Sequence, residues 1–145
     1  MGRLDEKGTA AVEFAIATPL LAMMVIGVVE IGFSTNQQIE TQAAAAAGAL
    51  YATENGWNSA AIAAAVTSAK PGSNILASPA PSLSCGCPTS PPPVVTAIAC
   101  GSTCPDNFAA RRYVLVSASK TRVSFLASTL PLPTTLNATA TARIP

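Results

Sequence analysis

Four cysteines, one glycine and one glutamate carry most of the chemistry this sequence offers. The cysteines stand as Cys85-Gly-Cys87 and Cys100-Gly-Ser-Thr-Cys104, a pattern open to disulfides or to a metal. Zinc sites favour C-x2-C or wider paired knuckles, often with histidine, and this chain has no histidine, so no metal and no cofactor is expected. A bridge from Cys85 to Cys87 would close a very small strained ring. Two connectivities remain, each joining one member of the first pair to one of the second. At the other end, Gly8 closes the polar stretch MGRLDEKG, and Glu13 follows five residues later at the edge of an apolar run. A carboxylate there costs on the order of 2 to 3 kcal/mol if drawn to a bilayer's centre and less near its surface. Gly8, lacking a Cβ, leaves the bond to Thr9 unhindered for anything that must grip an extended backbone.

Composition narrows the function classes. Without histidine the commonest general base is missing, and there is no Walker loop, Gly-rich nucleotide fingerprint or serine paired with a base. Neither catalysis nor a small-molecule substrate is expected. A formal net charge of +1 gives no footprint for nucleic acid, and Arg111, Arg112, Lys120, Arg122 and Arg143 read as the solvated face of a sheet. Half of the residues are hydrophobic and only 10% are charged, against about 25% in soluble proteins. With a mean hydropathy of +0.42, part of the surface must be covered by a membrane or a protein assembly.

The elements that position these residues follow from patterning. Residues 14 to 33, FAIATPLLAMMVIGVVEIGF, are uncharged as far as Val29 and as a helix would span about 30 Å, a bilayer's hydrocarbon thickness. Pro19 should kink this membrane helix, and Glu30 sits near its far end, where a carboxylate reaches water. Arg3 and Lys7 precede the segment and no basic residue follows before Lys70, so the N-terminus is cytoplasmic by the positive-inside rule and the rest is exported. An exported location allows disulfides. The helix should continue to about Thr53 and stop at Asn55-Gly56. Ile39, Ala43, Ala46 and Leu50 form a narrow stripe suited to close helix packing. A second helix is expected from Ser59 to Ala69, with Trp57 in the turn as a hydrophobic staple.

Residues 71 to 93 hold most of the chain's twelve prolines and read as an extended loop. Tyr113 to Phe125 is rich in β-branched residues, and Leu136, Ala138, Ala140, Ala142 and Ile144 alternate with polar neighbours, giving two strands joined through Leu130-Pro131-Leu132-Pro133. The fold class is therefore α+β: a long N-terminal transmembrane helix running into a small exported domain with a short helix, a disulfide-stapled Pro-rich loop and a small antiparallel sheet. The divisions are 1–8, a leader; 9–33, the transmembrane helix; 34–70, an exported helical region; 71–112, a Pro/Cys-rich loop; and 113–145, a hairpin-like end.

The junction KGTAAVEF, Lys7 to Phe14, resembles a type IV prepilin processing site. More closely, GTAAVEFAIATPLLAMMVIGVVEIGF is similar to the start of TadE-like proteins, pilin-like components of the bacterial tight-adherence (Flp-type) pilus system. The shared positions are Gly8, Ala11, Val12, Glu13, Phe14, Pro19, Leu20, Leu21, Gly27, Glu30 and Gly32. The likeness runs over residues 7 to 42. It implies cleavage by prepilin peptidase between Gly8 and Thr9, then a structural role as minor pilin or pseudopilin in the bacterial inner membrane or the pilus. The implied partners are that peptidase and other pilins or pilus-assembly membrane proteins. After cleavage the Thr9 amine would lie one helical turn from Glu13, which could pair with it or with a neighbouring chain's amine; the family analogy favours the neighbour. Alternatively Glu13 only complements the helix dipole. Two rival functions remain: an uncleaved single-pass envelope adaptor, and a secreted binding module cut near the Ala43 to Ala47 tract.

Overall fold

The computed structural model describes residues 5–89, 94–125 and 133–145. Helix α1 runs from Asp5 to Asn55, about 77 Å at 1.5 Å per residue. Pro19 does not interrupt it. Proline removes one backbone donor from the ladder, and beside it the Thr18 hydroxyl donates to the Phe14 carbonyl at 2.7 Å. The helix stops where Gly56 takes a left-handed φ of 77°, its N–H reaching the Ala52 carbonyl at 3.0 Å; glycine occupies this conformation without a Cβ penalty. Helix α2, Ser59–Ser68, begins at Asn58, whose side chain accepts from the Ala61 N–H. Trp57 is partly exposed and stands outside the core, so it is not the expected staple. Ile62 and Val66, one turn apart and fully buried, hold α2 in place instead.

Among the described residues five strands make one antiparallel sheet: β1 Ile75–Leu76, β2 Ser82–Thr89, β3 Val94–Ile98, β4 Arg111–Thr121 and β5 Thr135–Ile144. Central β4 pairs along its whole length with β5, from Arg112 opposite Ile144 to Thr121 opposite Thr135. On its other edge it pairs with β2 and, further along, with β1. β3 pairs with β2 at the edge of the sheet. The α+β class stands, but the loop expected over 71–112 supplies three of these strands. Pro81 precedes β2, and Pro88, inside β2 and opposite Val95 of β3, lies beyond the stretch Ser82 to Gly86 that pairs with β4. A proline there removes no donor from the central ladder. The expected connection through 130–132 lies outside the described residues.

The C-terminal half of α1 lies across β4 and β5. Its buried face is Gln37, Thr41, Ala44, Ala45, Gly48, Ala49 and Ala52, and it meets Val114, Val116, Ala118, Ala138 and Ile144. The stripe of Ile39, Ala43, Ala46 and Leu50 is on the exposed side, which corrects the expected packing face by nearly half a turn. Gly48 explains the choice. A Cβ there would meet Val66 Cγ2 at 2.5 Å and Val116 Cγ1 at 2.9 Å, so only glycine lets helix, helix and sheet converge at that point. With alanines on the helix, burial at roughly 25 cal/mol per Å² comes mainly from the Ile and Val side chains facing them.

Candidate functional site

Beyond β4 the chain leaves the sheet and runs down α1, back toward the apolar end of the helix. Lys120 Nζ bonds Glu40 Oε2 at 2.8 Å. Gln37 then acts as a strand partner for Val123: its Oε1 accepts the Val123 N–H at 2.9 Å and its Nε2 donates to the Val123 carbonyl at 2.8 Å. The Phe125 N–H donates to Glu30 Oε2 at 3.1 Å, the Ser124 hydroxyl bonds the same carboxylate, and Arg122 stands 3.6 Å from Glu30 Oε1. The match is geometric. Ten helical residues from Glu30 to Glu40 rise about 15 Å, and five extended residues from Lys120 to Phe125 cover about 17 Å. An extended strap can therefore meet one helix face at each of its contacts.

This strap corrects two expectations. Glu30 does not reach water; only 4% of it is exposed. Lys120 and Arg122 are not on a solvated face, since both side chains are nearly covered by their acidic partners. A buried pair adds little net stability, but removing one partner leaves a buried charge uncompensated. The strap thus fixes register between sheet and helix.

Glu40 also binds Lys70, just past α2, so one carboxylate ties together α1, β4 and the end of α2. The Lys120 hydrogen bond, followed by that of Lys70, holds its carboxyl below the usual glutamate range. A depressed carboxyl contributes stability that is present above its unfolded pKa and is lost as pH falls through its folded one. Thermal unfolding of the sheet domain should therefore shift downward as the pH drops below the ordinary glutamate range. In Glu40→Gln that part of the pH dependence should disappear. An unchanged pH profile would contradict the role given to the pair.

The cysteines pair as Cys85–Cys100 and Cys87–Cys104, with Cα–Cα distances of 5.1 and 5.7 Å. This is one of the two connectivities left open by the sequence. Cys85 and Cys87, two apart on β2, project from one face of the strand. Gly86 between them is crowded on the β3 side: a Cβ would meet Thr96 O at 2.7 Å and Val95 Cγ1 at 2.4 Å. The turn at Cys104 is closed by its own N–H to the Phe108 carbonyl at 2.7 Å.

Gly8, Thr9 and Glu13 lie at the start of α1, all exposed. The structure does not bring them together with the strap or the cysteines. In the full-length chain the Thr9 nitrogen is a peptide amide within the helix, so the pairing with a free amine has no counterpart here. Sequence reasoning missed Gln37 and Glu40 because polar residues on a helix leaving a membrane read as solvent-facing. The available signal was Gln37, Thr41, Ala44 and Gly48 at intervals of three and four, with Lys120 and Arg122 two apart on the strand opposite.

From Gly8 to Val29 almost none of α1 is covered by the rest of the chain, and this is a single helix long and apolar enough to cross a membrane. Comparison with curated proteins and with solved structures gives no match. The family model for TadE-like protein matches residues 8–50. These residues include the uncovered apolar helix, Glu13, Glu30 and the helix side of the strap, and over this region, less than a third of its length, the chain is similar to TadE-like proteins.

Proposed function

We propose that the chain is a structural, non-catalytic minor pilin or pseudopilin of the tight-adherence pilus system, cut by prepilin peptidase between Gly8 and Thr9. The observation that carries the reading is the family match over 8–50 together with the bare apolar surface of α1, where Val12, Phe14, Leu20, Met24 and Val28 are all exposed. A bilayer can cover that surface before assembly, and neighbouring pilin helices can cover it afterwards. The exposed stripe of Ile39, Ala43, Ala46 and Leu50 extends it with small side chains that admit close helix approach. Arg3 and Lys7 keep the N-terminus in the cytoplasm, and the sheet and disulfides face the oxidising side of the inner membrane. The peptidase and other pilins or assembly proteins are the partners.

Glu13 has the role of pairing with the Thr9 amine of a neighbouring processed chain. It is one turn from Thr9, within reach of a charge that exists only after cleavage. Glu13→Gln should therefore yield protein with the normal mature N-terminus but sharply reduced pili, counted by electron microscopy. Normal piliation in that variant would remove the pairing from the account.

A further inference from the structure

We infer that the end of the strap, at Phe125, is a second membrane contact that seats the exported domain against the outer surface of the bilayer. The inference rests on the reading of α1 as a membrane helix. If residues 14 to 33 fill the hydrocarbon layer, Glu30 lies about 4.5 Å inside its outer edge. Phe125 is hydrogen-bonded through its N–H to Glu30, so its backbone is at that depth. Its ring is 72% exposed, stands 5.6 Å from the ring of Phe33, and walls a shallow groove with Val25, Ile26 and Val29. Those three are themselves exposed on the apolar helix, so the ring continues the lipid-facing surface without a break.

The order of residues along the strap matches this placement. It begins with Lys120, bound at Glu40 well outside the hydrocarbon layer, passes Val123 at Gln37, and ends on an aromatic ring at the level where aromatic belts lie. Most of the polar groups that descend with it are paired: the Phe125 N–H and the Ser124 hydroxyl bond Glu30, and Arg122 faces the same carboxylate at 3.6 Å, leaving Glu30 Oε1 and Arg122 Nε buried with the ion pair as their contact and no hydrogen bond. Backbone at the membrane edge must be paired in this way. Glu30 accordingly has a second consequence as an anchor for the strap, since its carboxylate holds the segment that carries Phe125 into the lipid. The occupant of the groove is acyl chain.

Full-length protein reconstituted in phosphatidylcholine vesicles containing brominated acyl chains tests the inference, because bromine quenches tryptophan only at close contact. Trp57, the one tryptophan, follows the end of α1 about 33 Å beyond Phe33 and should keep its fluorescence in the wild type. In a Trp57→Phe background, Met24→Trp reports on the helix and Phe125→Trp on the strap; both positions are exposed, so the swaps leave the core untouched. Quenching of both supports the inference. Quenching at 24 with none at 125 overturns it and leaves the membrane helix standing. Absence of quenching at both overturns the membrane reading and the inference with it.

Discussion

Replacing Cys85 and Cys87 together with serine should lower the stability of the sheet domain by several kcal/mol. Each bridge closes a segment of 15 or 17 residues, worth about 3 kcal/mol in the chain-entropy model. Because the two segments, 85–100 and 87–104, interleave, the losses will not simply add. The damage should also be local. Among the described residues β3 is joined to the sheet only through β2, and residues 99–110 contain no regular element beyond the bridge of Thr103 to Ala109. Amide exchange should therefore accelerate over β3 and 99–110 first, while β4, β5 and the C-terminal half of α1 stay protected. An unchanged denaturation midpoint in the double variant would show that the staples are not what orders this half of the sheet.

The second large effect is expected at Gly8. Replacing it with leucine should leave an unprocessed precursor in the membrane. The structure makes this substitution informative, because a Cβ at Gly8 would meet nothing within 4 Å and the site is remote from the sheet. A defect cannot then be assigned to misfolding. The backbone there is helical, so the peptidase must open the first turns of α1 to gain an extended chain, and a bulky side chain would obstruct the step that follows. A normal mature N-terminus from Gly8→Leu would contradict the proposed cleavage.

Much of the fold was legible in local pattern. The unbroken apolar run gave the membrane helix, Asn55-Gly56 its end, Asn58 the second N-cap, and the strict alternation from Leu136 to Ile144 the inward face of β5, with Asn137, Thr139, Thr141 and Arg143 outward. What escaped was decided by distant partners. Ser82 to Thr89 carries a strand because β4 and β3 flank it, although its Pro, Gly and Ser content argues against one. Gly48 selects the packing face of α1 by what it omits, and that is visible only once Val66 and Val116 are opposite it. Glu30 looked like an interface carboxylate until the strap from 122 to 125 covered it. At the N-terminus the reverse holds: Gly8, Thr9 and Glu13 were singled out from spacing and resemblance, and they lie exposed at the start of α1, away from the sheet and the strap, because their proposed partners are a peptidase and other subunits.

Whether this chain is a processed pilin subunit or an intact membrane adaptor is decided by the intact mass of the protein isolated from native envelopes. The expected mass is that of a chain that begins at Thr9, lacking residues 1 to 8 and carrying two disulfides. A chain that retains residues 1 to 8 would contradict it in favour of an uncleaved adaptor, and one shortened by more than about 40 residues, the length of a leader plus a full membrane span, would contradict it in favour of a secreted domain.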